Sequence, residues 1–200
     1  MLYRAAMLEY LTIGWNVIEG LVAVSSGAVS GSIALIGFGI DSFIETSSGA
    51  VLLWRLQAER RGRDGEQLER RALKLVGVGF LLLAAYVAVD SIWSLIQREA
   101  PERSLPGIAI AVLSMAVMPW LAYAKRKAAR DLDSGALTAD SRQTSLCAYL
   151  SAILLAGLLL NALLHWWWAD SLAALAMVPI IVKEGRDCLR GKSCPDCHSA

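Results

Sequence analysis

Charged residues are scarce in this sequence, and long polar segments are missing. Only 18% of the 200 residues are charged, and they fall in short blocks between apolar runs. The hydrophobic share is 56% and the mean hydropathy is +0.50, whereas soluble proteins are usually about 45–50% apolar. The segments between the apolar runs leave no room for a soluble domain. These features predict an integral membrane protein.

The sequence also lacks a basic face with interleaved aromatic residues, and its formal net charge is only +1. We therefore expect no nucleic-acid partner. The apolar runs lack the alternation of polar and apolar residues that is typical of a membrane barrel strand. This leaves the all-α class, because a helix satisfies its backbone hydrogen bonds within one spanning segment.

Six apolar runs are long enough to cross a bilayer as helices, since about 20 residues at about 1.5 Å each span its core. The predicted spans are 6–24, 32–56, 73–96, 107–124, 139–164 and 167–182. The sequence thus predicts a polytopic membrane domain of six transmembrane helices over residues 1–184. A short cytoplasmic tail with cysteine and histidine is expected over residues 185–200.

Basic residues are concentrated on one side of the predicted spans. They follow the second, fourth and sixth spans, whereas the other side offers only Arg98 and Arg103. Because cytoplasmic loops carry the excess of Lys and Arg, both termini are predicted to be cytoplasmic in a multi-pass protein of the cell membrane. Trp166, Trp167 and Trp168 stand where the sixth span meets the outer interface, which is typical of an aromatic belt.

Two carboxylates lie within the second span. Asp41 and Glu45 are four residues apart, so they share one face of the helix. Their depths of about 12 and 18 Å bracket the bilayer centre, where a carboxylate costs about 2.5–3.5 kcal/mol. A divalent cation between them would relieve both the repulsion and the lack of solvation, which predicts a metal or proton site. A protonated pair, or hydrogen bonds to neighbouring helices, is the alternative.

The fifth span offers partners for this pair. Gln143 and Cys147 are also four residues apart, and their helix runs antiparallel to the second span. This direction pairs Cys147 with Asp41 and Gln143 with Glu45, although a depth count places Cys147 nearer to the level of Glu45. Thiolates and carboxylates are zinc ligands, and an amide can donate a hydrogen bond to a ligand. The alternative for Cys147 is a small buried hydrophobic residue.

The remaining acidic residues of the spans are weaker candidates. Glu9 and Glu184 lie near span ends, where we expect them to reach water. Glu19 and Asp140 are interpreted as structural, and Asp170 as a helix-start residue or an outer gate. None of these five is predicted to bind a metal.

Three segments carry a resemblance to a known family. They are GSIALIGFGIDSFIE (31–45), ALTADSRQTSLC (136–147) and WWADSLAAL (167–175). In this order and spacing they resemble the membrane domain of the cation diffusion facilitators, which are proton-coupled efflux carriers for zinc and related divalent ions. That family usually has a cytoplasmic metal-binding domain after helix six, which we do not expect in the short tail of this chain.

The resemblance implies both a site and a function. In that family helix two supplies a His or Asp followed by an Asp, and helix five a His followed by an Asp, each pair four residues apart. The matching positions are Asp41, Glu45, Gln143 and Cys147, so helix five departs at both. The resemblance implies a non-enzymatic homodimeric carrier that exchanges a divalent transition metal for protons. The thiolate of Cys147 adds a softer ion such as cadmium as an alternative to zinc. The departure in helix five leaves a non-transporting metal sensor or partner subunit as the rival.

The C-terminal end holds three of the four cysteines. Cys194 and Cys197 have the spacing of metal-binding thiols, and Cys188 and His198 could complete four ligands. We therefore predict metal capture by the tail. A redox pair or no role at all remains open. Attachment of a c-type haem, as in a membrane haem protein, would need the tail on the outer side.

Overall fold

A computed structural model describes residues 2–60, 66–98, 101–132 and 135–190, which form six helices and no strand. In chain order the helices are α1 (Leu2–Ser30), α2 (Ile33–Arg60), α3 (Glu66–Gln97), α4 (Leu105–Leu132), α5 (Gly135–Leu164) and α6 (Ala169–Leu189). Each predicted span lies almost entirely within one helix, so the all-α polytopic fold is confirmed. The helices continue beyond most predicted ends, and α6 begins after the tryptophan cluster.

Four of these helices contain segments long and apolar enough to cross a membrane. The segments are Ala5–Ser30, Gly77–Gln97, Leu105–Asp131 and Asp140–Leu164, found among the residues that the structure describes. Helices α2 and α6 carry acidic or basic side chains inside or near their spans, which lowers their hydropathy. Both still pack in the same bundle: α2 contacts α1, α3, α5 and α6, and α6 contacts α3 and α5.

The distribution of side chains is the reverse of that in a soluble protein. Large apolar side chains such as Leu82, Val89 and Ile96 are exposed on the outer face of α3, whereas Glu19 and Lys125 are completely buried. In a membrane, ionisable side chains face the bundle interior and apolar ones face lipid. The arrangement is therefore that of a multi-pass membrane protein.

Two small residues let α3 and α6 cross with their backbones in contact. A Cβ atom added to Gly77 would lie 2.8 Å from the carbonyl oxygen of Gly185, and one added to Gly185 would lie 3.0 Å from the carbonyl oxygen of Gly77. Small residues at helix crossings allow such close packing in membranes. This contact holds α3 against α6, and α2 packs beside both helices.

The start of α2 is bound to the start of α6 by Asp170. This buried carboxylate lies in the first turn of α6, and it accepts a hydrogen bond of 2.5 Å from the Ser32 hydroxyl and one of 3.3 Å from the Ala34 backbone N–H. The backbone N–H groups at the start of a helix lack partners within the helix, so this contact satisfies one of them. Asp170 thus sets the position of α2, in agreement with its interpretation as a helix-start residue.

Candidate metal site

Helix α2 presents its two carboxylates to the centre of the bundle. Asp41 and Glu45 are 3% and 2% exposed, and both point towards α5. One turn of helix separates them, so they lie on one face as the sequence predicts. The shared face is a local consequence of helix geometry, but the burial comes from the helices that surround α2.

Cys147 of α5 lies against both carboxylates. Its Sγ is 2.6 Å from Oε2 of Glu45 and 3.4 Å from Oδ2 of Asp41. The thiol is itself buried, beside Met118 and Leu121 of α4. Three possible metal ligands from two antiparallel helices therefore meet in the interior of the bundle.

The direct pairing of Gln143 with Glu45 is wrong by about one helical turn. The Gln143 carbonyl accepts a hydrogen bond of 3.2 Å from Ser48, and its Nε2 has no partner among the described residues. Cys147 takes the place opposite Glu45, as the depth count indicated. The axial offset between α2 and α5 depends on packing along their full lengths, and the spacing within each helix does not define it.

A small cavity lies beside the carboxylate pair and extends towards the end of α6. Asp41, Gln143 and Cys147 line it together with Glu184, and the rest of its wall is apolar, formed by Phe80, Leu146, Leu150, Ile180 and Ile181. Glu184 was predicted only to reach water. It is partly exposed, in agreement with that prediction, and its place in this wall adds a carboxylate that no sequence motif indicated.

Thr144 connects the carboxylate pair to a buried cation. Its hydroxyl donates to Oε1 of Glu45 at 3.0 Å, and the Lys125 ammonium donates to the same hydroxyl at 3.3 Å. The Thr144 hydroxyl therefore links the Lys125 ammonium to the Glu45 carboxylate through two hydrogen bonds. Sequence analysis missed both residues, because Thr144 belongs to no spacing pattern and Lys125 was counted only as a basic residue of a loop.

Lys125 forms two buried ion pairs. Its Nζ is 3.1 Å from Oε2 of Glu9 on α1 and 2.5 Å from Oδ2 of Asp140 on α5. The expectation that Glu9 reaches water is therefore wrong: its side chain is fully buried because Lys125 of α4 covers and pairs with it. Asp140 has the structural role predicted for it. This triad joins three helices next to the carboxylate pair.

The donor atoms at the centre suit a divalent ion of intermediate softness. Two carboxylates and a thiol are typical of zinc sites, where the bonds are roughly 2.0–2.3 Å long. Within the described ranges, no three His, Cys, Asp or Glu side chains form a preassembled metal cage. The thiol instead contacts the carboxylates directly, so binding would require these side chains to part and the thiol to lose its proton.

The predicted tail cluster is only partly described. Cys194, Cys197 and His198 lie outside the described residues. Cys188 lies on α6, which continues to Leu189, so the predicted domain boundary at residues 184 and 185 falls inside a helix. Cys188 is 3% exposed and belongs to the main hydrophobic core.

Known proteins are similar to this chain along most of its length. The family model described as the cation efflux transmembrane domain matches residues 10–191. An uncharacterized transporter of Synechocystis sp., sll1263, is 24% identical over 169 residues, which make up 82% of this chain and 54% of that protein. Transmembrane protein 163 of Xenopus laevis is 24% identical over 183 residues, which make up 91% of this chain and 65% of that protein. The chain spans less than two thirds of the length of either relative.

Proposed function

The chain belongs to the cation efflux family, and we propose that it is a carrier that exports divalent transition-metal cations. The family gives the general class, which is transport of metal cations across a membrane. The observation that supports this chain's own site is the contact of Cys147 with two carboxylates of α2, at 2.6 and 3.4 Å, inside the bundle. The proposed ligands are Asp41, Glu45 and Cys147, with Gln143 beside them.

The chemistry of the proposed site favours zinc or cadmium as substrate. An ion with two positive charges neutralises the Asp41 and Glu45 carboxylates, and the Cys147 thiol releases its proton to the cytoplasmic solvent as the metal–sulfur bond forms. Soft sulfur ligands select zinc and similar ions over magnesium or manganese. The Gln143 amide, which has an unpartnered Nε2 on the same cavity, is placed to orient a ligand by a hydrogen bond.

The proposed cycle exchanges metal for protons. With both termini in the cytoplasm, the cavity that leads from Asp41 to Glu184 lies on the cytoplasmic side of the site. The ion enters by this route, binds between α2 and α5, and leaves outward when the helices rock about the fixed site. Protons then compete for the same carboxylates and thiol, because a metal ligand must be deprotonated to bind.

Metal uptake into proteoliposomes tests this function. The purified chain is reconstituted and offered zinc, cadmium and manganese in turn, with and without an imposed pH gradient. We expect saturable uptake of zinc and cadmium that exceeds that of manganese and responds to the gradient. Equal uptake by protein-free liposomes, for every ion, would contradict a carrier.

The second candidate is a membrane metal sensor or partner subunit that binds without transporting. The observation that favours it is the direct hydrogen bonding of Gln143 to Ser48, which turns the amide oxygen away from the carboxylates. Saturable metal binding in detergent together with no uptake in proteoliposomes would support this candidate over the carrier.

We further propose that Cys194, Cys197 and His198 capture metal at the cytoplasmic face. Their spacing supports the proposal, and the burial of Cys188 in the core makes it a weaker fourth ligand. A chain that ends after Arg190 should bind fewer metal ions and still transport. An unchanged number of bound ions and unchanged affinity would contradict a capture role.

A further inference from the structure

A second group of buried polar side chains lies on α1, and Ser114 of α4 lies against one of them, Glu19. The cluster consists of Asn16 and Glu19 on α1 and Ser114 on α4, and all three side chains are 0% exposed. Asn16 and Glu19 are three residues apart, so they are neighbours on one face of α1. The Ser114 hydroxyl and the Trp15 indole face the Glu19 carboxylate.

The Ser114 hydroxyl accepts a hydrogen bond from Ser151, but the polar side-chain atoms on α1 lack partners in the part of the chain that the structure describes. Both carboxylate oxygens of Glu19, both amide atoms of Asn16 and the indole nitrogen of Trp15 are buried without a hydrogen bond. Glu9, two to three turns earlier on the same helix, has Lys125 as its counter-ion. Burying a polar group without a hydrogen-bond partner costs about 2–7 kcal/mol, and burying an unpaired charge costs more. Glu19 has the same burial as Glu9, but no described Lys or Arg forms an ion pair with it.

We propose that Asn16, Glu19 and Ser114 form a binding site for an alkali cation of the size of sodium. The ligand atoms are a carboxylate, an amide carbonyl and a hydroxyl, all of them hard oxygen donors. One carboxylate balances one positive charge, whereas a divalent ion would leave an unbalanced charge in the interior of the membrane. Sulfur is absent from these three side chains, so the cluster does not suit the softer metals of the Cys147 site.

The site is close enough to influence the proposed metal site. The Ser114 hydroxyl is 2.9 Å from that of Ser151, which is 2.8 Å from the Cys147 carbonyl oxygen. Glu19 also interacts electrostatically with Asp41 and Glu45. A cation held by Glu19 repels a metal ion held by that pair, and by linkage each ion weakens the binding of the other equally. This coupling rests on the proposed function, whereas the alkali-ion site itself does not.

Binding of radioactive sodium to the purified full chain in detergent tests the site. The assay measures bound ²²Na⁺ against increasing unlabelled sodium, with choline chloride used to keep the ionic strength equal. We expect saturable binding that unlabelled sodium displaces and choline does not. The absence of saturable sodium binding by the wild-type protein would overturn the proposal. This is the result expected if Glu19 is protonated.

Two variants and one control locate the ion. Glu19→Gln should weaken sodium binding about tenfold or more, since it removes a charged ligand. Asn16→Leu keeps the side-chain size and should also weaken binding, without lowering thermal stability, because the amide it removes has no partner. Glu102→Gln, at an exposed position, should bind as wild type.

The double variant Asp41→Asn with Glu45→Gln separates this site from the metal site. Saturable sodium binding should persist in it, while metal binding is lost. Loss of sodium binding in this double variant, with normal binding in Glu19→Gln and Asn16→Leu, would place the ion at the carboxylate pair and refute the assignment. Failure of the carrier proposal would leave the sodium result unaffected.

Discussion

The Sγ atom of Cys147 lies 2.6 Å from Oε2 of Glu45, so a thiol of α5 and a carboxylate of α2 meet inside a membrane bundle. The Asp41 carboxylate is 3.4 Å from the same sulfur. If the Cys147 thiol loses its proton, its sulfur and the two carboxylates can bind the same cation. This relationship makes α2 and α5 the pair of helices whose separation a bound metal would change.

Replacing Asp41 or Glu45 by Ala should abolish metal uptake in proteoliposomes. Each change removes a ligand, and because it also removes a costly buried charge it should not unfold the helix. The matched control is Asp90→Ala, which removes a partly buried carboxylate of α3 away from this cluster. Wild-type uptake by both α2 variants would rule out the carboxylate pair as the transport site.

Cys147 should set the preference among metal ions. Cys147→Asp replaces sulfur by oxygen at the same place, so the ratio of cadmium to manganese uptake in a competition assay should fall. Cys147→Val conserves the size without offering a ligand and should lower cadmium uptake. If Val and Asp both leave the ratio at its wild-type value, Cys147 acts only in packing.

Lys125→Met should destabilise the protein by about 3–5 kcal/mol, because it leaves the buried carboxylates of Glu9 and Asp140 unpaired. The free energy of unfolding in mixed detergent micelles measures the loss. The triple variant with Glu9→Gln and Asp140→Asn added should recover most of it, since no buried charge is then left alone. A triple variant less stable than Lys125→Met would contradict this account.

Gly77→Leu should separate α3 from α6. Its Cβ would lie 2.8 Å from the Gly185 carbonyl oxygen, and a backbone atom cannot move aside as a side chain can. We expect a lower midpoint of thermal unfolding in detergent. Gly14→Leu is the control, because a Cβ at Gly14 has nothing within 4 Å, and the same change there should leave the midpoint unaltered or raised. Equal midpoints for both variants would show that the close approach has no energetic importance.

Much of the candidate metal site was predictable from one helix at a time. Residues four apart share a helical face, so Asp41 and Glu45 had to lie together, as did Gln143 and Cys147. The length of each apolar run defined six helices for the same local reason. The axial offset between α5 and α2 remained undefined. It differs from the predicted offset by about one turn, so Gln143 lies beside Ser48 and not beside Glu45.

The sequence by itself determined that this chain is a helical membrane protein with a pair of acids deep in its second helix, because hydrophobic length and helical periodicity are properties of neighbouring residues. Only the tertiary structure decided which groups meet those acids. From the sequence, Lys125 was only one of several basic residues after the fourth span. In the structure, α4 places it between Glu9 and Asp140. Likewise, the lack of partners around Glu19 became visible only when the helices around it were assembled. Contacts between distant helices depend on rotation and axial offset, which arise from the packing of all the side chains at once.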